Sequence, residues 1–207
     1  MNRTARAILV ACAFVLVAPR PGARASQAPG VGLLPEADCG PGQVEPCPPA
    51  DDQGRPPEGG LLSPGTPAEP FVLSDPEGRP VLFTPGEGGG PVLLVFWSMF
   101  CPPCQEEMPF LAGLARRLGP RGLRVVSVNV DGSGMARAVA TYAKRQKLPF
   151  PVAMDEKADG QFVFARAYGV TGTPSLFLVG PDGRVRWNHE GRTDPGMLQA
   201  EIEELLR

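Results

Sequence analysis

The sequence has no basic run, no apolar stretch of bilayer length and a single histidine among its 207 residues. Without a cluster of Lys and Arg able to neutralise several phosphates or hold an anionic bilayer surface, nucleic-acid and lipid-surface roles are excluded. The longest apolar run, Ala7 to Ala18 (AILVACAFVLVA), is stopped by Pro19 after 12 residues, whereas a membrane-spanning helix needs about 20. Apolar side chains are also scarce between Ser26 and Pro67, where 10 prolines and 8 glycines stand in 42 residues. Such a segment cannot offset its own ordering entropy, so residues 26–66 read as a flexible linker. What remains, 67–207, is enough for one core and too little for two comfortable domains.

The start of the chain reads as an export signal over residues 1–25. Arg3 and Arg6 supply the positive start, Ala7–Ala18 the apolar centre, and Ala23-Arg24-Ala25 a small-x-small cleavage site. An uncleaved anchor, or lipidation of Cys12 after Leu9-Val10-Ala11, are the alternatives. Cleavage would remove four arginines and no acid, leaving 16 basic against 22 acidic residues, a balance of −6. It would also leave four cysteines, Cys39, Cys47, Cys101 and Cys104, a number that an oxidising compartment such as a bacterial periplasm could hold as two pairs. Cys39 and Cys47 are either a small disulfide loop in the linker or a second redox pair exchanging with the main one. No helix start, tryptophan or paired strand surrounds them to tune their reactivity.

Beyond Pro67 the pattern alternates. Phe71–Leu73 and Val81–Phe83 flank Ser74–Arg79 (SDPEGR), which predicts a hairpin. Val92–Trp97 is continuously apolar, the signature of a central strand buried on both faces. Met108, Leu111, Leu114, Ala115 and Leu118 recur at helical spacing up to Gly119-Pro120. Leu123–Val130 and Phe150–Met154 read as strands around a helix over Met135–Lys147. A further helix is expected from about Gln161 to Tyr168, with Gly169 as its cap. Ser175–Val179 and Arg184–Trp187 make an antiparallel pair across Gly180–Gly183 (GPDG). Thr193-Asp194-Pro195 opens a last helix, with Met197, Leu198, Ile202 and Leu205 on one face. The fold class is α/β with a mixed central sheet flanked by helices.

The chemistry sits in Trp97–Cys104 (WSMFCPPC), where the buried strand hands over to a helix. A helix N-terminus carries partial positive charge and unpaired N–H groups, which favour thiolate at the first cysteine. Two residues between cysteines at a helix start place both sulfurs on one side of the first turn, close enough for a disulfide. Cys101 is then the nucleophile and Cys104 the resolving thiol. Pro102 and Pro103 offer no N–H to the Cys101 thiolate, and neither is a cation. Its stabilisation is therefore modest, which makes the pair a reductant rather than an oxidant.

WSMFCPPC after an apolar strand, Gln105–Pro109 (QEEMP) in the helix and Gly169–Pro174 (GVTGTP) before a strand together resemble the thioredoxin fold. More narrowly they resemble its exported TlpA and ResA branch, which includes cytochrome c maturation reductases, over roughly Pro67 to Arg207. That resemblance implies an N-terminal hairpin, an inserted helix and strand, a Trp97 that packs beside the site, and a cis Pro174 facing the disulfide. It implies a Thr173 backbone that pairs with an extended client, and electrons from a membrane thiol donor. The chain is expected to be a monomer with no cofactor and no metal. Thioredoxins carry a buried aspartate two residues before the tryptophan; here Val95 stands there, which leaves Asp131 and Glu107 as candidates for proton transfer with Cys104. Pro109 should kink its helix.

Three other chemistries use the same fold. Copper delivery wants a wider cysteine spacing and a histidine just before the strand at Ser175, but the one histidine, His189, is expected beyond the next strand. Peroxidase chemistry wants a threonine and proline ahead of the attacking cysteine, where Ser98-Met99-Phe100 stand. Disulfide oxidation or isomerisation needs the same two cysteines and is the serious rival.

Overall fold

The structure, a computed structural model, describes residues 60–207. The expected signal segment, Cys12, Cys39, Cys47 and the linker up to residue 59 lie outside the described residues. A seven-stranded sheet forms the middle of the fold. In chain order its strands are β1 (Phe71–Ser74), β2 (Pro80–Phe83), β3 (Val92–Trp97), β4 (Arg124–Asn129), β5 (Val152–Met154), β8 (Ser175–Val179) and β9 (Val185–Glu190). A separate two-stranded hairpin joins β6 (Lys157–Ala158) to β7 (Gln161–Phe162). The helices are α1 (Pro102–Leu118), α2 (Ala136–Gln146), α3 (Val163–Ala167) and α4 (Pro195–Leu205). Spatial order across the sheet is β2-β1-β5-β4-β3-β8-β9. β3 runs parallel to β4 and antiparallel to β8, so the sheet is mixed, as expected.

All six residues of β3 are buried, which is what a strand without polar alternation requires. Its two-residue period sorts them between two cores. Leu93, Val95 and Trp97 pack with Met108, Leu111 and Leu114 of α1, Val139 of α2, and Leu198 and Ile202 of α4. Val92, Leu94 and Phe96 face Phe71, Phe83, Tyr168 and Phe177 on the other side. Burying a side chain of this size contributes about 1.5–3 kcal/mol. The redox helix thus rests on one of the best-buried surfaces in the fold.

Three boundaries differ from the sequence expectation. The packed domain begins before Pro67: Leu62 is 1% exposed, its N–H donates to Tyr168 O at 2.9 Å, and its carbonyl accepts from Asn188 Nδ2 at 2.9 Å. Gly65–Ala68 then runs alongside the start of β9, with Gly65 N–H to Val185 O at 2.8 Å and Val185 N–H to Thr66 O at 2.9 Å. Prolines and glycines dominate this stretch, yet two leucines and a set of backbone bonds hold it. Gly169 allows the approach, since its φ is +66° and a β-carbon there would collide with Gly60 O.

The second difference is α3, which starts at Val163 instead of Gln161. Asp159 and Gly160 both take positive φ, 52° and 80°, and turn the chain into the β6–β7 hairpin. The third is β9, which continues to Glu190. His189 therefore lies inside the strand, opposite Leu176, stacked on Trp187 with ring centroids 5.7 Å apart.

Candidate functional site

Pro102 and Pro103 occupy the first turn of α1 and Cys101 is its N-cap. Proline suits these positions because their N–H groups would have no helical partner. The one first-turn donor that reaches the cap is Cys104 N–H, 3.2 Å from Cys101 Sγ. Cys101 and Cys104 are joined in a disulfide with Cα atoms 5.3 Å apart. Cys101 is 7% exposed and Cys104 1%, so the first sulfur is the one that an attacking group meets.

The loop before Cys101 is held from two directions. Asp131, just past β4, accepts from Ser98 Oγ at 2.6 Å, from Met99 N–H at 2.7 Å and from Asn129 Nδ2 at 2.8 Å. From α1, Gln105 Nε2 donates to Met99 O at 2.6 Å. Asp131 is thus a brace for the redox loop, with both oxygens engaged. The Ser98 hydroxyl is committed as well, since it also accepts from Phe100 N–H at 3.0 Å.

Facing the disulfide, the Thr173–Pro174 peptide bond is cis. Thr173 O lies 3.3 Å from Cys101 Sγ. The disulfide sulfur has no proton, so this is a contact here; in the reduced form the thiol could donate to that carbonyl. The turn is anchored at both ends. Glu190 Oε2 accepts from Thr171 Oγ1 at 3.1 Å and Gly172 N–H at 3.2 Å, while Gly191 N–H donates to Pro174 O at 2.8 Å. The Thr173 N–H and carbonyl make no backbone hydrogen bond among the described residues.

Trp97 is 0% exposed, and its ring packs on Tyr142 at 5.3 Å. It supports the site from beneath and does not form part of its surface. Its place in the alternation with Leu93 and Val95 points it into the core.

Glu107 lies one helical turn beyond Cys104 and is half-buried. Its Oε1 accepts from Thr193 N–H at 2.6 Å, and its Oε2 is buried without a hydrogen-bond partner among the described residues. Burial pushes its carboxyl above the ordinary value of 4.5; the Thr193 N–H, Arg192 and His189 pull the other way with less effect. Val95, where thioredoxins have an acid, is 1% exposed and apolar. Burial thus raises the proton affinity of Glu107. Among the described residues, no three His, Cys, Asp or Glu side chains converge as metal ligands.

Sequence reasoning missed Glu190, Gln105 and Tyr142. Gln105 was visible inside QEEMP, one residue past the second cysteine. Glu190 and Tyr142 reach the site only through tertiary packing, 18 and 45 positions from Gly172 and Trp97 respectively, and no local pattern marks them.

The AhpC/TSA family model matches residues 64–188. The thiol-disulfide oxidoreductase ResA of Bacillus thuringiensis is 32% identical over 143 residues, 69% of this chain and 76% of that protein. ResA of Bacillus subtilis is 36% identical over 124 residues, 60% of this chain and 65% of that protein. Among solved structures, one from Chlorobium tepidum described as a thiol:disulfide interchange protein DsbE aligns with a TM-score of 0.62 and 28% identity. It spans 70% of this chain and 99% of its own.

Proposed function

The chain belongs to the AhpC/TSA family and is a thiol-disulfide oxidoreductase, and from that premise we propose that it reduces disulfides in client proteins outside the cytoplasm. Cytochrome c maturation would be one such setting. The observation that carries the reading is the asymmetric pair: an approachable Cys101 capping α1, with Thr173 O 3.3 Å away, and a buried Cys104 behind it.

In the reduced enzyme the Cys101 thiolate attacks one client sulfur, forming an S–S bond as the client disulfide breaks and its second sulfur leaves as thiolate. The free edge of Thr173 holds the client backbone alongside as an added strand. Cys104 then gives up its proton and attacks Cys101 Sγ, which expels the client as a dithiol and leaves the Cys101–Cys104 disulfide. The enzyme loses two electrons and the client gains two. Glu107, one turn from Cys104 and short of a partner for one oxygen, is the group to take that proton. An external dithiol, delivered from a membrane donor, resets the pair.

The direction follows from the first turn of α1. Pro103 removes an N–H that could have reached the Cys101 sulfur, leaving Cys104 N–H as its backbone donor. A thiolate with little stabilisation makes the disulfide harder to reduce and the dithiol a better reductant.

Two measurements test this. Cys104→Ser should accumulate mixed disulfides with clients, whereas a scaffold that merely binds would show none. Equilibration with glutathione should place the couple more negative than about −200 mV; a value near −120 mV, that of a strong oxidant, would reverse the direction.

A further inference from the structure

Met99, two residues before Cys101, lines one side of an open cavity of about 480 Å3 whose other side is α2. Arg137, Thr141, Tyr142 and Arg145 complete it. The Tyr142 ring lies on Trp97, and its Oη is buried without a hydrogen-bond partner among the described residues. Neither Arg137 nor Arg145 pairs with another described residue through its guanidinium. By contrast Arg116, Arg124 and Arg192 are tied to Lys147 O, Glu87 O and Glu106. In the chain between Met99 and Cys101 stands Phe100, 75% exposed. The cavity therefore joins an apolar, tyrosine-floored groove to two cations without an ion-pair partner among the described residues, beside the loop that leads to the reactive cysteine.

We propose that this groove docks an extended, acidic segment of the client next to its disulfide, so that α2 selects clients by charge. The proposal rests on the reading of the chain as a reductase of client disulfides and names the kind of sequence it favours. Met99 and Cys101 are two residues apart, at most about 7 Å between Cα atoms. A client cysteine held at Cys101 thus places its near neighbours over Phe100 and Met99. Arg137 and Arg145 are eight residues apart on a helix, about 12 Å along its axis. An extended chain rises about 3.3 Å per residue and shows every second side chain to one face. Carboxylates four residues apart match that separation, with the side chain midway between them falling on Met99 and Tyr142. The recognised pattern is acid-x-apolar-x-acid.

The test is a single-turnover reaction of the reduced full chain with peptides that each contain one internal disulfide, flanked by Glu-x-Leu-x-Glu, Gln-x-Leu-x-Gln or Lys-x-Leu-x-Lys. Reduced and oxidised peptide are separated after quenching. No electron donor is present, so docking of a donor cannot produce a preference. The acidic peptide should react about three- to tenfold faster than the basic one at low salt, and the ratio should shrink in 0.5 M salt. In the double variant R137E/R145E the order should invert. Equal rates for the three peptides, or the wild-type order persisting in the double variant, would overturn the assignment. Hydroxyethyl disulfide, uncharged and too small to span the groove, separates the two levels. If it is turned over while the peptides show no preference, the groove assignment alone fails. If neither it nor any peptide is reduced, the reductase reading fails and takes the groove with it.

Discussion

Asp131→Ala separates a brace from a proton carrier. The carboxylate accepts three hydrogen bonds, from Ser98 Oγ, Met99 N–H and Asn129 Nδ2, between 2.6 and 2.8 Å. A hydrogen bond to a charged group is worth about 1.5–3 kcal/mol when buried, and one between neutral groups about 1. Asp131 is only partly buried, so the lower figure applies to each, and the variant should lose about 3 kcal/mol. For a domain of this size that corresponds to a fall of roughly 6–12 °C in Tm. Urea unfolding of the oxidised protein, with the Cys101–Cys104 bond intact, measures the loss as a shift in midpoint at unchanged slope. The loop that carries Met99 and Phe100 to Cys101 would loosen as well. Exchange with a peptide disulfide should slow about tenfold, since small misplacements of a reacting group are costly. The pH profile of that rate should keep its shape. A stability loss under about 1 kcal/mol, or a profile altered in shape, would refute the assignment of Asp131 as a brace.

Glu107→Gln should do the reverse, leaving the loop in place while removing the proposed proton acceptor for Cys104. The carboxyl sits above its ordinary value because burial penalises its charge. The folded state therefore holds a proton that the unfolded state releases, and stability falls as pH rises from about 4.5 through the folded value. Glu107→Gln should flatten that fall between pH 4 and 8 in urea titrations, and should remove one limb from the pH profile of the resolving step. Glu190→Ala frees Thr171 and Gly172 and so loosens the turn that presents Thr173. It should raise KM for a peptide client several-fold while changing the rate with hydroxyethyl disulfide less than twofold, because that molecule has no backbone for Thr173 to pair.

Local signals made the redox centre legible. The β3–α1 junction is contained in eight consecutive residues, and a strand, two cysteines and two prolines are each interpretable within one turn. GVTGTP likewise carries its own geometry, and the cis bond stands at Thr173–Pro174. What stayed hidden depends on packing between distant segments. Asp131 is visible in the sequence as an acid, but only the fold shows its oxygens engaged by Ser98, Met99 and Asn129. Trp97 alternates with Leu93 and Val95 and so points inward, but only the fold shows the Tyr142 ring packed against it. The β6–β7 hairpin had a readable Asp159-Gly160 turn that the apolar spacing of the following helix obscured. The leucines at 61 and 62 were lost in a proline- and glycine-rich composition, because two side chains cannot shift an average over 42 residues.

Those leucines and the residues after them bear on how the sheet avoids sticking to its copies. β2 and β9 are its two margins, and a margin strand with open N–H and C=O groups invites another chain to add to it. Along the start of β9, Val185 is already engaged by Gly65 and Thr66, while Pro67, opposite Arg184, has no N–H to offer. The other margin opens with Pro80. A stretch that by composition belongs to a tether thus works as a selvedge, covering the start of the β9 border. A chain cut at Pro67 would keep the redox centre and lose its hem, and self-association would be its characteristic failing.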